Sequence, residues 1–320
     1  MLDVARKMNS IYMIQPVRTV CKLCSDFLPI GDDFINHGIP YKFCPSCGHL
    51  NGKFQDSQDF FSQMYLLENG IEYNSAAYVA QDFISRVQNV YIPKLDFLLE
   101  NLVKKNPSVL DIGCGAGHFV SACLSAGIDA KGIDVSQTSI SFGNHNLSLQ
   151  YGVRPLSQVD SQNFTTKILE SDATVITAIG VIEHIQDLPA FFNAICQSNA
   201  KYVFYSVPMA SLSVLVENLM PNVFPRHLSA DHTHLFTEAS LNELNKLLQI
   251  TPIAEWRFGT DIPDLLRSFL ISFQDSKVTA HAYDFFIEKL NSMCDELQGT
   301  LDRNHFCSEI HVIGIRNASE

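Results

Sequence analysis

The chain is predicted to be an α/β protein: a doubly wound seven-stranded sheet with its last strand reversed, preceded by a small cysteine lobe and a helical linker. Three observations predict it. From Pro107 to Asn317, short apolar runs alternate with amphipathic segments, the pattern of successive βαβ units. Ser108–Val120 (SVLDIGCGAGHFV) carries one such run through Asp111 into glycines at alternate positions, Gly113, Gly115 and Gly117. Upstream, two Cys-x-x-Cys pairs, Cys21/Cys24 and Cys44/Cys47, are separated by nineteen residues. The expected divisions are a lobe at 15–58, a linker or cap at 59–106, and the α/β domain at 107–320 with a lid around 209–236.

The lobe comes first. Each Cys-x-x-Cys turn presents two sulfurs on one side, and the spacing lies in the window for a four-thiolate Zn2+ site. In CPSCG, Pro45 and Gly48 favour the tight turn that aims backbone N–H groups at sulfur. Four protein ligands leave no open position, so the predicted metal is structural. Few apolar residues lie between the pairs, and coordination is expected to supply much of the lobe's folding free energy. His37 and His49 are expected at the surface, because the thiolates already complete the site.

Composition bounds the rest. A chain of 320 residues, 46% hydrophobic, can bury one sizeable core and an accessory domain. A formal charge of -12 argues against broad nucleic-acid binding, which depends on neutralising phosphates. No apolar run approaches a bilayer span, and MLDVARKMNSIYM lacks a continuous apolar signal core, so a cytoplasmic location is expected. Of nine cysteines, Cys114, Cys123, Cys196, Cys294 and Cys307 stand singly, as in a reducing compartment rather than a disulfide framework.

The glycine turn needs its spacing examined. A dinucleotide fingerprint counted from Gly113 would put its third glycine on His118, and no Gly-Lys-Ser/Thr follows to make a P-loop. What remains is Asp-x-Gly-x-Gly-x-Gly. The next apolar run, Ala130–Val135, ends on Asp134, at the distance of a ribose-binding carboxylate in a βαβ unit. In these residues the chain resembles the class I S-adenosylmethionine-dependent methyltransferases. The resemblance implies S-adenosylmethionine as cofactor, with Asp111, Gly113, Gly115 and Gly117 as the first motif. Asp134 becomes the ribose ligand, and Asp111 helps hold the methionine end through water. It also implies that the aromatic linker (FFSQMYLLENG onward) folds over the cofactor, with Tyr73 and Tyr78 as candidate lining residues.

Further along, Gln137–Gln150 is expected as a helix and Gly152–Leu156 as the third strand. The β-branched run in Ala173–Ile185 opens into Gly180, Glu183 and His184, and resembles the fourth motif of small-molecule methyltransferases. No Asn/Asp-Pro-Pro-Tyr or Pro-Cys occurs there, which speaks against adenine, glutamine or cytosine-C5 chemistry. His184 is the leading candidate base, since an imidazole titrates where a general base must. Leu188–Ser198 is the next helix and Lys201–Pro208 the fifth strand. Met209–Phe236 then interrupts the alternation with Arg226, His227, His232 and His234, groups suited to a sugar or phosphate. His232 and His234 join His184 as catalytic candidates.

Thr237 is an expected N-cap, without the Glu or Gln of a full capping box. Ile253–Gly259 is the sixth strand, a helical region to about Leu297 is expected either to close over the acceptor or to make a subunit contact in a homo-oligomer, and His305–Arg316 is the last strand. Together with the cysteine lobe, the resemblance implies a small-molecule acceptor, a sugar or nucleotide-sugar methylated on a hydroxyl or carbon. Two alternatives are an RNA or protein methyltransferase that docks its substrate on the lobe, and a non-catalytic cofactor-binding scaffold.

Overall fold

A computed structural model describes residues 2–61, 63, 83–103, 106–160, 163–228, 232–274 and 279–317. Its strands in chain order are β1 (Phe34–Asn36), β2 (Ile39–Phe43), β3 (Leu50–Gly52), β4 (Ser108–Ile112), β5 (Asp129–Asp134) and β6 (Leu156–Gln158). There follow β7 (Val175–Ile179), β8 (Tyr202–Pro208), β9 (His234–Leu235), β10 (Ile250–Phe258) and β11 (Glu309–Arg316). Two compact units emerge: one of Met1–Met64, Val207–Leu244 and Trp256–Ile310, the other of Tyr65–Ser206, Asn245–Glu255 and His311–Glu320. The stretch 209–236 therefore groups with the N-terminal cysteines.

The first unit is organised on a four-stranded sheet in the order β1-β2-β3-β9. β1 and β2 form a hairpin whose two loop residues, His37 and Gly38, both have positive φ, +47° and +86°. That is the conformation whose twist matches paired strands. The sheet's apolar residues Ile39, Tyr41, Leu50 and Leu235 pack with Tyr12, Phe60 and Leu228 into one core. Two buried carboxylates tie down the segments around it. Glu217 accepts the backbone N–H groups of Arg226, His227 and Leu228 at 2.6, 2.7 and 2.9 Å. Asp261, with no exposed surface, accepts from Ser211 Oγ, Ser213 Oγ and Ser308 N at 2.5, 2.8 and 2.8 Å. Charge-assisted bonds of this kind are shorter and stronger than neutral ones.

The second unit carries the expected mixed seven-stranded sheet, in the order β10-β11-β8-β7-β4-β5-β6. β8, β7, β4, β5 and β6 run parallel, with β4 central between β5 and β7. Asp111 on β4 stands opposite Gly132 on β5 and Thr177 on β7. Beneath the strands, Leu98, Phe119, Val120, Leu147, Val175 and Phe204 are fully or almost fully buried. The third strand starts later than expected. Gly152, at φ +73°, caps the helix Gln137–Tyr151, and the Asn144 side chain grips Leu156 N and O at 3.1 and 2.9 Å, so pairing begins there. Among the described residues no helix is long and apolar enough to cross a membrane.

Candidate functional site

In the glycine turn all three glycines have positive φ: +64°, +51° and +75° for Gly113, Gly115 and Gly117. Their surroundings differ. A Cβ on Gly113 would lie 2.5 Å from Val181 Cγ2, and one on Gly117 would lie 2.6 Å from Leu156 Cδ1, so these two let the turn close against its own unit. At Gly115 a Cβ would meet nothing within 4 Å. The middle glycine faces open space, where its backbone can approach a ligand.

Asp134 turns back toward that glycine. Its Oδ2 accepts Gly115 N at 2.8 Å and its Oδ1 accepts Ser136 N at 2.7 Å. Each carboxylate oxygen retains a further lone pair, which suits a vicinal diol. Asp111 is 3% exposed, and its Oδ1 accepts the Thr177 hydroxyl at 2.6 Å. Burial pushes its carboxyl up to about 7, with the Asp134 charge adding to the shift and Thr177 and Lys94 opposing it. This cradle fits a cofactor with a diol and a cationic end, as S-adenosylmethionine has.

Two neighbours of the cradle carry no local sequence signal. The contact of Thr177 with Asp111 depends on strand register. His118 is sandwiched between the Phe83 and Tyr91 rings, with centroids at 4.7 and 5.3 Å, and burial lowers its imidazole to about 4. Tyr91 ends a π-helical turn, Val87–Tyr91, that runs into the helix Ile92–Asn101. Tyr73 and Tyr78 lie outside the described residues.

At the end of β7, Gly180 takes φ +66° and donates its N–H to Ser206 Oγ at 2.9 Å. The chain then makes a 3-10 turn, Ile182–His184, in which Glu183 is buried and His184 is exposed. In the other unit, His232 is half-buried, its Nδ1 3.0 Å from His227 O. His234 is wholly buried on β9. The three candidate bases thus differ in exposure: His184 is exposed, His232 half-buried and His234 buried.

The cysteines converge. Cys21 and Cys47 Sγ atoms are 3.7 Å apart, as are those of Cys24 and Cys44, and all four sulfurs lie within 4.8 Å of one another. Sulfurs placed about 2.3 Å from a central Zn2+ form a tetrahedron with edges of about 3.8 Å. The donor set fits the ion. Burial pushes the Cys24 thiol up to about 12, and metal binding is what releases such a proton.

His49 corrects the expectation of a surface residue: it has no exposed surface. Its Nε2 and His234 Nδ1 share a hydrogen bond of 2.8 Å, and its Nδ1 is 3.3 Å from Ser240 Oγ. The following N-terminus is also better closed than expected. Thr237 Oγ1 accepts Ser240 N at 3.2 Å while Ser240 Oγ accepts Thr237 N at 2.8 Å, so a serine completes the reciprocal box that Glu or Gln usually makes.

A family model described as a methyltransferase domain matches residues 83–253. A ubiquinone biosynthesis O-methyltransferase from Hahella chejuensis is 28% identical over 174 residues, 53% of this chain and 68% of that protein. One of the same name from Ralstonia nicotianae is 27% identical over 145 residues, 42% of this chain and 58% of that protein. Among solved structures, magnesium protoporphyrin IX methyltransferase from Synechocystis PCC 6803 has a TM-score of 0.49 at 13% identity, covering 79% of this chain and 100% of that one.

Proposed function

Because the chain belongs to the methyltransferase-domain family, we propose that it methylates a small acceptor at a hydroxyl or carbon, the acceptor being a sugar or nucleotide-sugar. The observation that carries this reading is the open face at Gly115 with Asp134 bonded to its N–H. Bound S-adenosylmethionine supplies an already activated methyl group. The chain's own work is to bind, orient and deprotonate. Asp134 would accept the ribose hydroxyls on its remaining lone pairs, and Asp111 would hold the cationic methionine end through water. His184, an exposed residue in the turn after β7, takes the proton of an acceptor hydroxyl. The four cysteines hold a structural Zn2+.

The sugar assignment draws on the pairing of a cysteine lobe with this domain. A second reading draws on the relatives' names, which favour an oxygen acceptor of ubiquinone biosynthesis. Incubating the full chain and S-adenosylmethionine with nucleotide-sugars in one arm and ubiquinone-pathway phenols in the other separates the two. Mass spectrometry should show one methyl gained in the nucleotide-sugar arm. A gain confined to the phenols selects the second reading. Replacing His184 by Gln should lower kcat by about 10²–10⁴ with cofactor affinity retained, and an unchanged kcat would remove it as the base.

A further inference from the structure

Four thiolates on one divalent ion leave an excess of negative charge, and buried sulfur of this kind is stabilised by N–H donors. Cys21 is served by a side chain. Asn51 Nδ2 lies 3.5 Å from Cys21 Sγ.

The same amide reaches the rest of the centre. Asn51 Nδ2 donates to His49 O at 2.9 Å, and Asn51 Oδ1 accepts Lys22 N at 2.8 Å. One side chain thus touches the first Cys-x-x-Cys turn through Cys21 and Lys22, and the segment leaving the second through His49. It is 1% exposed, so water does not substitute for these bonds. Its place is set from both sides by the sheet, Asn51 pairing with Lys42 on β2 and His234 on β9. An aspartate there would turn oxygen toward sulfur, and an aliphatic residue would remove the acceptor of the Lys22 N–H.

We propose that Asn51 is the positioning residue of the metal centre. Its N–H···S bond holds Cys21 as the fourth thiolate, and its bridge sets the spacing of the two cysteine turns. The proposal rests on the cysteines being a metal site, and its test separates the two claims. The full-length protein is loaded with 113Cd2+, and a long-range 1H–113Cd correlation is sought at the Asn51 side-chain amide, where coupling through the N–H···S bond should appear. In parallel, Asn51→Asp, which keeps the acceptor for Lys22 N, is titrated with Zn2+ against a chromophoric chelator. Affinity should fall 10–100-fold, as for other residues that hold metal ligands. The thiolate-to-metal charge-transfer band of its Co2+ form should move to lower energy.

Metal uptake with no correlation at Asn51, and a variant equal to wild type in Zn2+ affinity and Co2+ band, overturns the positioning role alone. A wild-type chain that takes up neither Zn2+ nor Cd2+ overturns the metal reading with it. Where the variant does not fold, the wild-type correlation decides.

Discussion

In the unit built on the seven-stranded sheet, the cradle comes from adjacent strands and the turn between strand and helix: Asp111, Gly113, Gly115 and Gly117 in one short run, Asp134 at the next strand end. In the other unit, the cysteine turns are backed by residues from far along the chain. His49 bonds to His234 across 185 positions and faces Ser240 across 191. The first site is local geometry repeated on neighbouring strands. The second is assembled by long-range pairing. A local site should fail residue by residue, and an assembled one should fail as a whole.

The largest expected effect tests the assembled site. Structural Zn2+ contributes about 10–16 kcal/mol in small domains that fold around it. Chelation, or Cys44→Ser, should therefore abolish hydrogen-exchange protection across β1–β3 and β9 together, while Leu110 and Val175 stay protected. Loss confined to the cysteine turns would show that the four-stranded sheet stands without metal.

Glycine substitutions come next, and should separate closure of the turn from ligand approach. Gly113→Ala combines a positive φ with a Cβ 2.5 Å from Val181, and should cost about 2–4 kcal/mol in chemical denaturation. Gly115→Ala has the strained φ but no neighbour, so about 1–2 kcal/mol of stability is expected. Its cofactor affinity should nevertheless fall more than that of any variant retaining Gly115 and Asp134. Asp134→Ala should weaken cofactor binding roughly 10–100-fold by calorimetry, the loss of a charged acceptor worth about 1.5–3 kcal/mol.

A smaller effect is set by pH. Because burial raises Asp111 to about 7, its protonated form favours the fold, a contribution fully present below the unfolded carboxylate value and lost as pH rises through about 7. A cationic ligand end favours the ionised form, so cofactor affinity should increase from pH 6 to 8, and Asp111→Asn should flatten that profile. Last is Ser240→Ala, which removes one half of the reciprocal box and the hydroxyl facing buried His49 Nδ1, and should cost about 1–2 kcal/mol without touching cofactor binding.

The difference between the two sites also explains what could be read before any coordinates. The glycine turn was legible because positive φ demands glycine and a parallel strand demands an apolar run. The paired cysteines were legible because a metal knuckle is a short turn. Strand ends were less so: Gly152 belongs to a helix cap, and the Asn144 side chain marks where β6 begins. Ser240 in place of Glu or Gln was illegible because a hydroxyl meets a backbone N–H only when the turn brings it close.

Sequence alone determined the sheet's alternation, the two motif sets and the family they resemble, since each depends on contacts between residues near in the chain or on the chemistry of one residue type. Tertiary structure decided the rest: that 209–236 groups with the cysteines, that His49 is core, that Thr177 meets Asp111 and Asn51 meets Cys21. These contacts depend on strand register and on which distant segments share a sheet. A side chain's composition is silent about both.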